Sequence, residues 1–150
     1  MIRYKILHDQ KIILSQWVGE ASVEDVNQFL RTIRADPEYD PYYHTLNDIR
    51  QLRSLFEEKQ SSIILQEINQ LKREFRIKSA SVVSSDVQFG IGRMYDVFHE
   101  RINIDYRVFR DMESACEWLG ADWEAIERAL QEWVWEGRAH FLYFDSAVAE

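Results

Sequence analysis

The fold of this chain is decided by the stretch Ser79-Ala-Ser-Val-Val-Ser-Ser-Asp-Val-Gln-Phe-Gly-Ile-Gly-Arg-Met-Tyr-Asp-Val-Phe98. Its first six residues are small or β-branched, which is typical of a strand buried on both faces of a sheet. A short polar turn follows, and the rest repeats apolar residues at helical spacing. The stretch therefore predicts the central strand–turn–helix crossover of an α/β sheet, with Gly90 and Gly92 in the first turn of the helix.

The elements on either side extend this pattern. Before it lie an apolar hairpin over residues 2–18, a helix over residues 23–35, a strand over residues 43–48 and a helix that is clear from Ser62. After it come a strand from Tyr106 to Arg110 and two helices, the second capped by Asp122. Residues 49–60 fit either a loop or the start of a helix capped by Ser54. Alternating strands and helices predict a mostly parallel sheet of four to five strands, with the hairpin at one side and helices alongside.

Several helix ends can be read from local chemistry. Ser22 followed by Asp25 has the spacing of a capping box, in which each side chain bonds the other residue's backbone N–H. Pro37 ends that helix, because the residue before a proline is pushed out of the α region. Asp111 is a favourable N-cap for residues 112–119, and Gly120 suits the left-handed position that closes a helix.

Composition limits the classes of function. The chain has 150 residues, 46% of them apolar, as expected for a single globular core. A net charge of −8 argues against nucleic-acid binding, and no apolar run is long enough for membrane insertion. Charges interrupt the first apolar segment, so we expect no signal peptide. A single cysteine, Cys116, excludes an intrachain disulfide, and we expect a cytoplasmic protein.

The glycines of the opening stretch do not complete a nucleotide-binding motif. The dinucleotide fingerprint needs a third small residue three positions after the second glycine, where this chain has Tyr95. We expect Gly90 and Gly92 to allow close packing of the helix instead. The four histidines lie far apart and lack metal-ligand spacing, and Cys116 fits a small core residue better than a nucleophile. No catalytic residue, metal or cofactor is predicted.

Polar residues follow the predicted strands where ligands gather in such sheets, at the carboxyl ends. Charges brought together there could form a ligand site or a rim of salt bridges, and the sequence leaves both open. The candidates are Asp48, Arg50, Phe89, Arg93, Arg110 and Asp111.

The C-terminal region carries more aromatic residues than one helix needs for its own core. They could pack over the sheet or form the surface of a homodimer, because large aromatics are enriched in interface cores. A hydrophobic ligand cavity beneath them is a third alternative. The interface candidates are Trp123, Trp133, Trp135, Phe141 and Tyr143.

With its elements in this order, the chain resembles the STAS/SpoIIAA-like group, and within it a set of uncharacterised bacterial single-domain proteins. Each matching segment is short, and it is their order and spacing that carry the resemblance. The matching residues are Gly19, Leu46-Asn-Asp48-Ile-Arg50, Phe89-Gly90-Ile-Gly-Arg93, Val108-Phe-Arg-Asp111 and Glu113-Ser-Ala-Cys-Glu-Trp118-Leu119. The resemblance defines a domain over residues 1–120. Residues 121–150 form an aromatic helix and tail that we expect to pack on the same domain or on a dimer partner.

The resemblance implies a mixed sheet of four to five strands with helices alongside. In anti-sigma antagonists of this group, a serine at a helix start, in an Asp-Ser-Ser-Gly context, is phosphorylated. Here Asp48 is followed by Ile-Arg-Gln-Leu-Arg-Ser54, so Ser54 is the nearby candidate and the motif itself is missing. The fold is also similar to lipid-binding domains.

Residues and resemblance together favour a non-enzymatic regulatory or binding module that acts through protein–protein contacts, because the sequence carries an excess of aromatic residues and no catalytic constellation. We expect a homodimer with a possible further protein partner. The alternative is a protein that binds a small anion or a lipid-like molecule, or an enzyme, using a cleft at the strand carboxyl ends.

Overall fold

The computed structural model describes residues 1–53, 60, 63–64, 66, 76–86, 88–89 and 103–136. The strands are β1 (Ile2–Leu7), β2 (Ile12–Gly19), β3 (His44–Leu52), β4 (Ile77–Val82) and β5 (Ile104–Phe109). The helices with defined bounds are α1 (Val23–Ala35), α2 (Met112–Leu119) and α3 (Trp123–Glu136). Within these residues, no helix combines the length and apolar character needed to cross a membrane.

The strands form one sheet in the same order as in the chain, β1-β2-β3-β4-β5. β1 pairs with β2 antiparallel, and every other neighbouring pair is parallel. The predicted mixed sheet with an N-terminal hairpin at one side is therefore confirmed, as is the additional C-terminal helix. The parallel strands place the carboxyl ends of β3, β4 and β5 at the same edge of the sheet.

Helices cover both faces of the sheet, because successive strand residues point to opposite sides. On one face, α2 and α3 pack through Ala115, Ile126 and Leu130 on alternate residues of the central strands, including Leu14 and Leu46. On the other face, α1 packs through Val26, Phe29 and Ile33 on residues that include Tyr4 and Ile13. α3 therefore shares a hydrophobic core with the sheet.

The helix ends match the local signals. Ser22 accepts from the Asp25 backbone N–H at 3.1 Å, while Asp25 accepts from the Ser22 N–H at 2.8 Å, which completes the capping box. α1 ends at Ala35, ahead of Pro37. Asp111 caps α2, and Gly120 closes it with a φ of 73°. Side-chain chemistry within one helical turn determines these boundaries, so the sequence alone predicts them.

Replacing Gly120 with alanine tests the backbone at this helix end. A Cβ at Gly120 would meet no atom within 4 Å, so the left-handed φ is the sole source of strain. We expect Gly120→Ala to lower the free energy of unfolding by about 1–2 kcal/mol, measured by urea denaturation. Ala121→Gly, at the next position, is the reference for a change in backbone freedom alone. An unchanged stability for Gly120→Ala would contradict the conformational argument.

β3 is longer than the sequence predicts. The apolar pattern ends near Asp48, yet the strand continues to Leu52. Beyond a register shift in β2, Gln51 pairs with Val18 and Leu52 with Gly19. This pairing holds residues 49–52 in a strand, so both alternatives predicted for them, a loop or a helix start, are wrong. As a result Asp48 and Arg50 lie two residues apart on one strand, on the same face.

His44 lies at the start of β3 and takes part in the sheet through its side chain. The Lys78 backbone N–H donates to Nδ1 of His44 at 2.9 Å. Burial of the imidazole, helped by the charge of Lys78, lowers the pKa of His44 below its ordinary value of 6.5. The folded state therefore favours the neutral ring, which accepts this hydrogen bond.

This arrangement predicts a pH dependence of stability. The unfolded chain takes up a proton on His44 near pH 6.5, whereas the folded chain resists it, so protonation favours unfolding. The contribution of His44 is complete above pH 6.5 and is lost as the pH falls towards its lower folded-state pKa. We expect the stability difference between wild type and His44→Gln to shrink between pH 7.5 and about pH 5, measured by urea denaturation. A difference that stays constant over this range would contradict the prediction.

Candidate functional site

The six predicted residues at the strand carboxyl ends are called the strand-end rim here: Asp48, Arg50, Phe89, Arg93, Arg110 and Asp111. Asp48 and Arg50 lie in β3, Phe89 lies in a helical segment after β4, and Arg110 and Asp111 follow β5. Arg93 lies outside the described residues, as do Gly90 and Gly92. Ser54, the phosphorylation candidate, also lies outside them.

Asp48 and Arg50 form a bidentate ion pair. Nε of Arg50 donates to Oδ1 of Asp48 at 2.8 Å, and Nη2 donates to Oδ2 at 3.0 Å. The side chain of Asp48 is 2% exposed, while that of Arg50 is 36% exposed. The hydrogen bonds with Asp48 raise the pKa of Arg50, against the opposing effect of its partial burial. The carboxylate is thus turned inward, and the guanidinium connects it to the surface.

Two polar side chains tie the end of β3 to the segment after β4. Oγ of Ser84 donates to the backbone carbonyl of Arg50 at 2.7 Å. Nε2 of Gln88 donates to the carbonyls of Ile49 at 3.3 Å and Leu52 at 2.7 Å, while its Oε1 accepts from the Ser84 N–H at 3.1 Å. Gln88 is 8% exposed. Side chains therefore occupy the gap between the end of β3 and this helical segment.

Arg110 forms the exposed part of the rim. Its Nη1 donates to Oδ1 of Asp86, and its guanidinium carbon lies 4.5 Å from the centre of the Phe89 ring. The two charged side chains are 57% and 85% exposed. Exposed ion pairs add little stability, on the order of 0–1 kcal/mol. This group is a solvent-facing surface on which an arginine lies over an aromatic ring.

Asp111 has a structural partner of its own. It accepts from the backbone N–H of Ser114 at 2.7 Å and from the Ser114 hydroxyl at 3.0 Å. Both bonds hold the pKa of Asp111 below its ordinary value, and the bond from the backbone N–H has the larger effect. Its carboxylate caps α2 at the edge of the rim.

Comparisons with known proteins identify the architecture. No family model and no curated protein matches the chain. A crystal structure of an uncharacterised protein of the DUF3478 family from Shewanella loihica PV-4, which has a SpoIIAA-like fold, matches with a TM-score of 0.57. The match is 21% identical and covers 79% of this chain and 92% of that one. This chain has a SpoIIAA-like fold. The resemblance read from the sequence motifs is confirmed at the level of the fold, and a fold does not by itself assign a function.

The aromatic candidates at the C-terminal end of this SpoIIAA-like fold do not share one environment. Trp133 is 1% exposed and belongs to the core between α3 and the sheet, so it is core rather than a surface residue. Its position on the apolar stripe of α3 turns it toward the sheet. Trp123, at the start of α3, is 41% exposed. The side chain of Trp135 and all of Phe141 and Tyr143 lie outside the described part.

The sequence reasoning missed Gln88 as a part of the strand-end rim. A signal for Gln88 was present, because Ser85 and Gln88 have capping-box spacing and Gln88 N–H donates to Oγ of Ser85 at 3.1 Å. In a standard capping box the N3 side chain turns back to the N-cap residue. Here its Oε1 accepts from the N–H of Ser84, one residue before the N-cap, and its Nε2 donates to two carbonyls of β3, which depends on the packed sheet.

Groups that could carry metal or thiol chemistry are sparse. Among the described residues, no group of three His, Cys, Asp or Glu side chains is placed to hold a metal ion. Cys116, on the core-facing side of α2, is buried, and this burial raises the pKa of its thiol to about 11. A thiol with that pKa is a poor nucleophile near neutral pH, because the thiolate is the reactive form.

Proposed function

We propose that this SpoIIAA-like chain is a non-enzymatic binding module that regulates another protein through contacts at the strand-end rim. The observation that carries this proposal is how its charges are arranged. Asp48 is bonded to Arg50, Asp86 to Arg110, and Asp111 to α2, so these groups do not converge on an open space. An exposed arginine lying over a phenylalanine ring suits recognition by another protein, since arginine and aromatic residues are enriched at interfaces.

The side chains around Gln88 support this proposal over the alternative of a small-molecule site or an enzyme. Such a site needs a concave space lined by convergent polar groups. Gln88 and Ser84 direct their polar atoms to the backbone of β3, across the space where a ligand would lie. Among the described residues, no specific observation favours the alternative.

Site-specific photocrosslinking in the native cells tests the proposal. A photoreactive phenylalanine analogue at Asp86, which is 85% exposed, lies beside the rim and leaves Arg110 and Phe89 in place. The same analogue at exposed Asp9, in the turn between β1 and β2, is the matched control. We expect a discrete crosslinked protein from position 86 that position 9 does not give. If position 86 gives no product above that control, the rim is not an interaction surface.

We further propose that the chain forms a homodimer through the C-terminal aromatic residues that remain candidates, Trp123, Trp135, Phe141 and Tyr143. The exposure of Trp123 supports this, because large aromatic residues are enriched in interface cores. Sedimentation velocity at micromolar concentration should show a dimer that Trp123→Ala weakens. A monomer under these conditions would contradict the dimer.

A further inference from the structure

At the strand-end rim, the acidic side chains already accept hydrogen bonds, whereas the arginine side chains have donors left over. The Asp48 carboxylate accepts three bonds from Arg50, including its backbone N–H at 3.2 Å, and is buried. The Asp111 carboxylate accepts both bonds from Ser114. Oδ1 of Asp86 is bonded to Arg110. The carboxylates of Asp48, Asp86 and Asp111 therefore each already have a donor.

The arginines, in contrast, keep N–H groups that bond to no described residue. A guanidinium carries five N–H groups. In its bonds to described residues, Arg50 donates from Nε and Nη2, which leaves Nη1, and Arg110 donates from Nη1, which leaves Nε and Nη2. Arg53, the residue after β3, has an exposed side chain with no hydrogen bond or ion pair to any described residue. Donors are thus in excess on the outward side of this edge.

These arginines share one edge of the sheet. Arg53 donates its backbone N–H to the carbonyl of Gly19 at 2.8 Å, and its Nη2 lies 3.5 Å from where a Cβ of Gly19 would be. Ser84 and Gln88 connect this end of β3 to the segment that carries Asp86 and Phe89, on which Arg110 lies. The backbone bonds fix the elements that bear the arginines, so less ordering is required when a partner binds.

We propose that the partner segment recognised at this edge is acidic and presents carboxylates to Arg50, Arg53 and Arg110. This rests on the proposed function and names the chemistry of its partner. Arginine forks match carboxylates in a bidentate geometry, and the Phe89 ring gives an apolar contact for the stem of an acidic side chain. The net charge of −8 does not prevent an acidic segment from binding at these arginines, because charges farther than about 8–10 Å are screened at physiological salt.

The test uses the whole chain and a fluorescein-labelled peptide that alternates glutamate with serine, with glutamine in place of glutamate as the control peptide. Fluorescence anisotropy should show binding of the glutamate peptide alone. Arg53→Gln and Arg110→Gln should each weaken binding about 3-fold, and the double variant about 10-fold. Arg50 is left intact, because its loss would strand the buried Asp48 carboxylate. Arg128→Gln, an equal charge change at an exposed position of α3, should leave binding within about 2-fold.

Two results would overturn the inference. One is no binding of the glutamate peptide, including the case in which inorganic phosphate binds instead. The other is an equal loss of affinity in Arg128→Gln, which would indicate a response to net charge alone.

Photocrosslinking from Asp86 in the Arg53→Gln/Arg110→Gln double variant separates this inference from the proposed function. Crosslinks that persist there keep the rim as an interaction surface and remove only the acidic partner.

Discussion

Trp133→Ala should lower the free energy of unfolding by about 3–5 kcal/mol, a large share of the roughly 5–15 kcal/mol that stabilises a typical domain. Trp133 is 1% exposed and packs in the core with Ile126 and Leu130. Its ring also lies near two cations on β1, 5.1 Å from the guanidinium carbon of Arg3 and 5.7 Å from Nζ of Lys5. Truncation removes a large buried surface and leaves a cavity. Urea denaturation followed by circular dichroism measures the change.

Trp123→Ala is the matched control, because it makes the same truncation on the same helix. Trp123 is 41% exposed, and we expect a loss of at most about 1 kcal/mol. The pair distinguishes a core role from an interface role. Equal effects of the two substitutions, or a Trp133→Ala protein with unchanged stability that no longer dimerises, would contradict the assignment of Trp133 to the core.

Gln88→Leu should lower the free energy of unfolding by about 2–4 kcal/mol, although leucine is of similar size and apolar. The substitution removes two bonds to carbonyls of β3 and one from the Ser84 N–H. The bond to the Leu52 carbonyl is buried, so solvent cannot readily replace the amide there. Gln51→Leu is the control, since Gln51 is an exposed residue of β3 and its replacement should change stability by about 0.5 kcal/mol or less.

The isosteric Gln88→Glu variant tests whether the side chain at position 88 must donate hydrogen bonds. An ionised carboxylate cannot donate to the carbonyls of Ile49 and Leu52, whereas a protonated one can. Burial beside these carbonyls should raise the pKa of the new acid in the folded state above its ordinary value near 4.3. The destabilisation relative to wild type should thus be largest near pH 7 and shrink as the pH falls towards about 4. A pH-independent difference would contradict the role of Gln88 as a donor.

The strand-end rim could be predicted from the sequence as a set of residues, but its internal bonding could not. Parallel strands bring their carboxyl ends together, which is sufficient to group Asp48, Arg50 and Arg110. The pairing of Asp48 with Arg50 depends on β3 continuing to Leu52. That extension follows from pairing with β2 after its register shift, and residues 49–52 alone carry no strand pattern.

The sequence by itself determined what depends on neighbours within a few residues. Ser22 with Asp25, Asp111 and Gly120 set helix ends through bonds and backbone angles inside one turn, and alternating elements set the parallel sheet. Tertiary structure alone decided what depends on residues distant in the chain. It placed Trp133 in the core while Trp123 stayed exposed. It also brought the side-chain amide of Gln88 into hydrogen bonds with carbonyls of β3. The physical reason is that burial and long-range hydrogen bonds depend on which surfaces meet, and many packings are compatible with one local pattern.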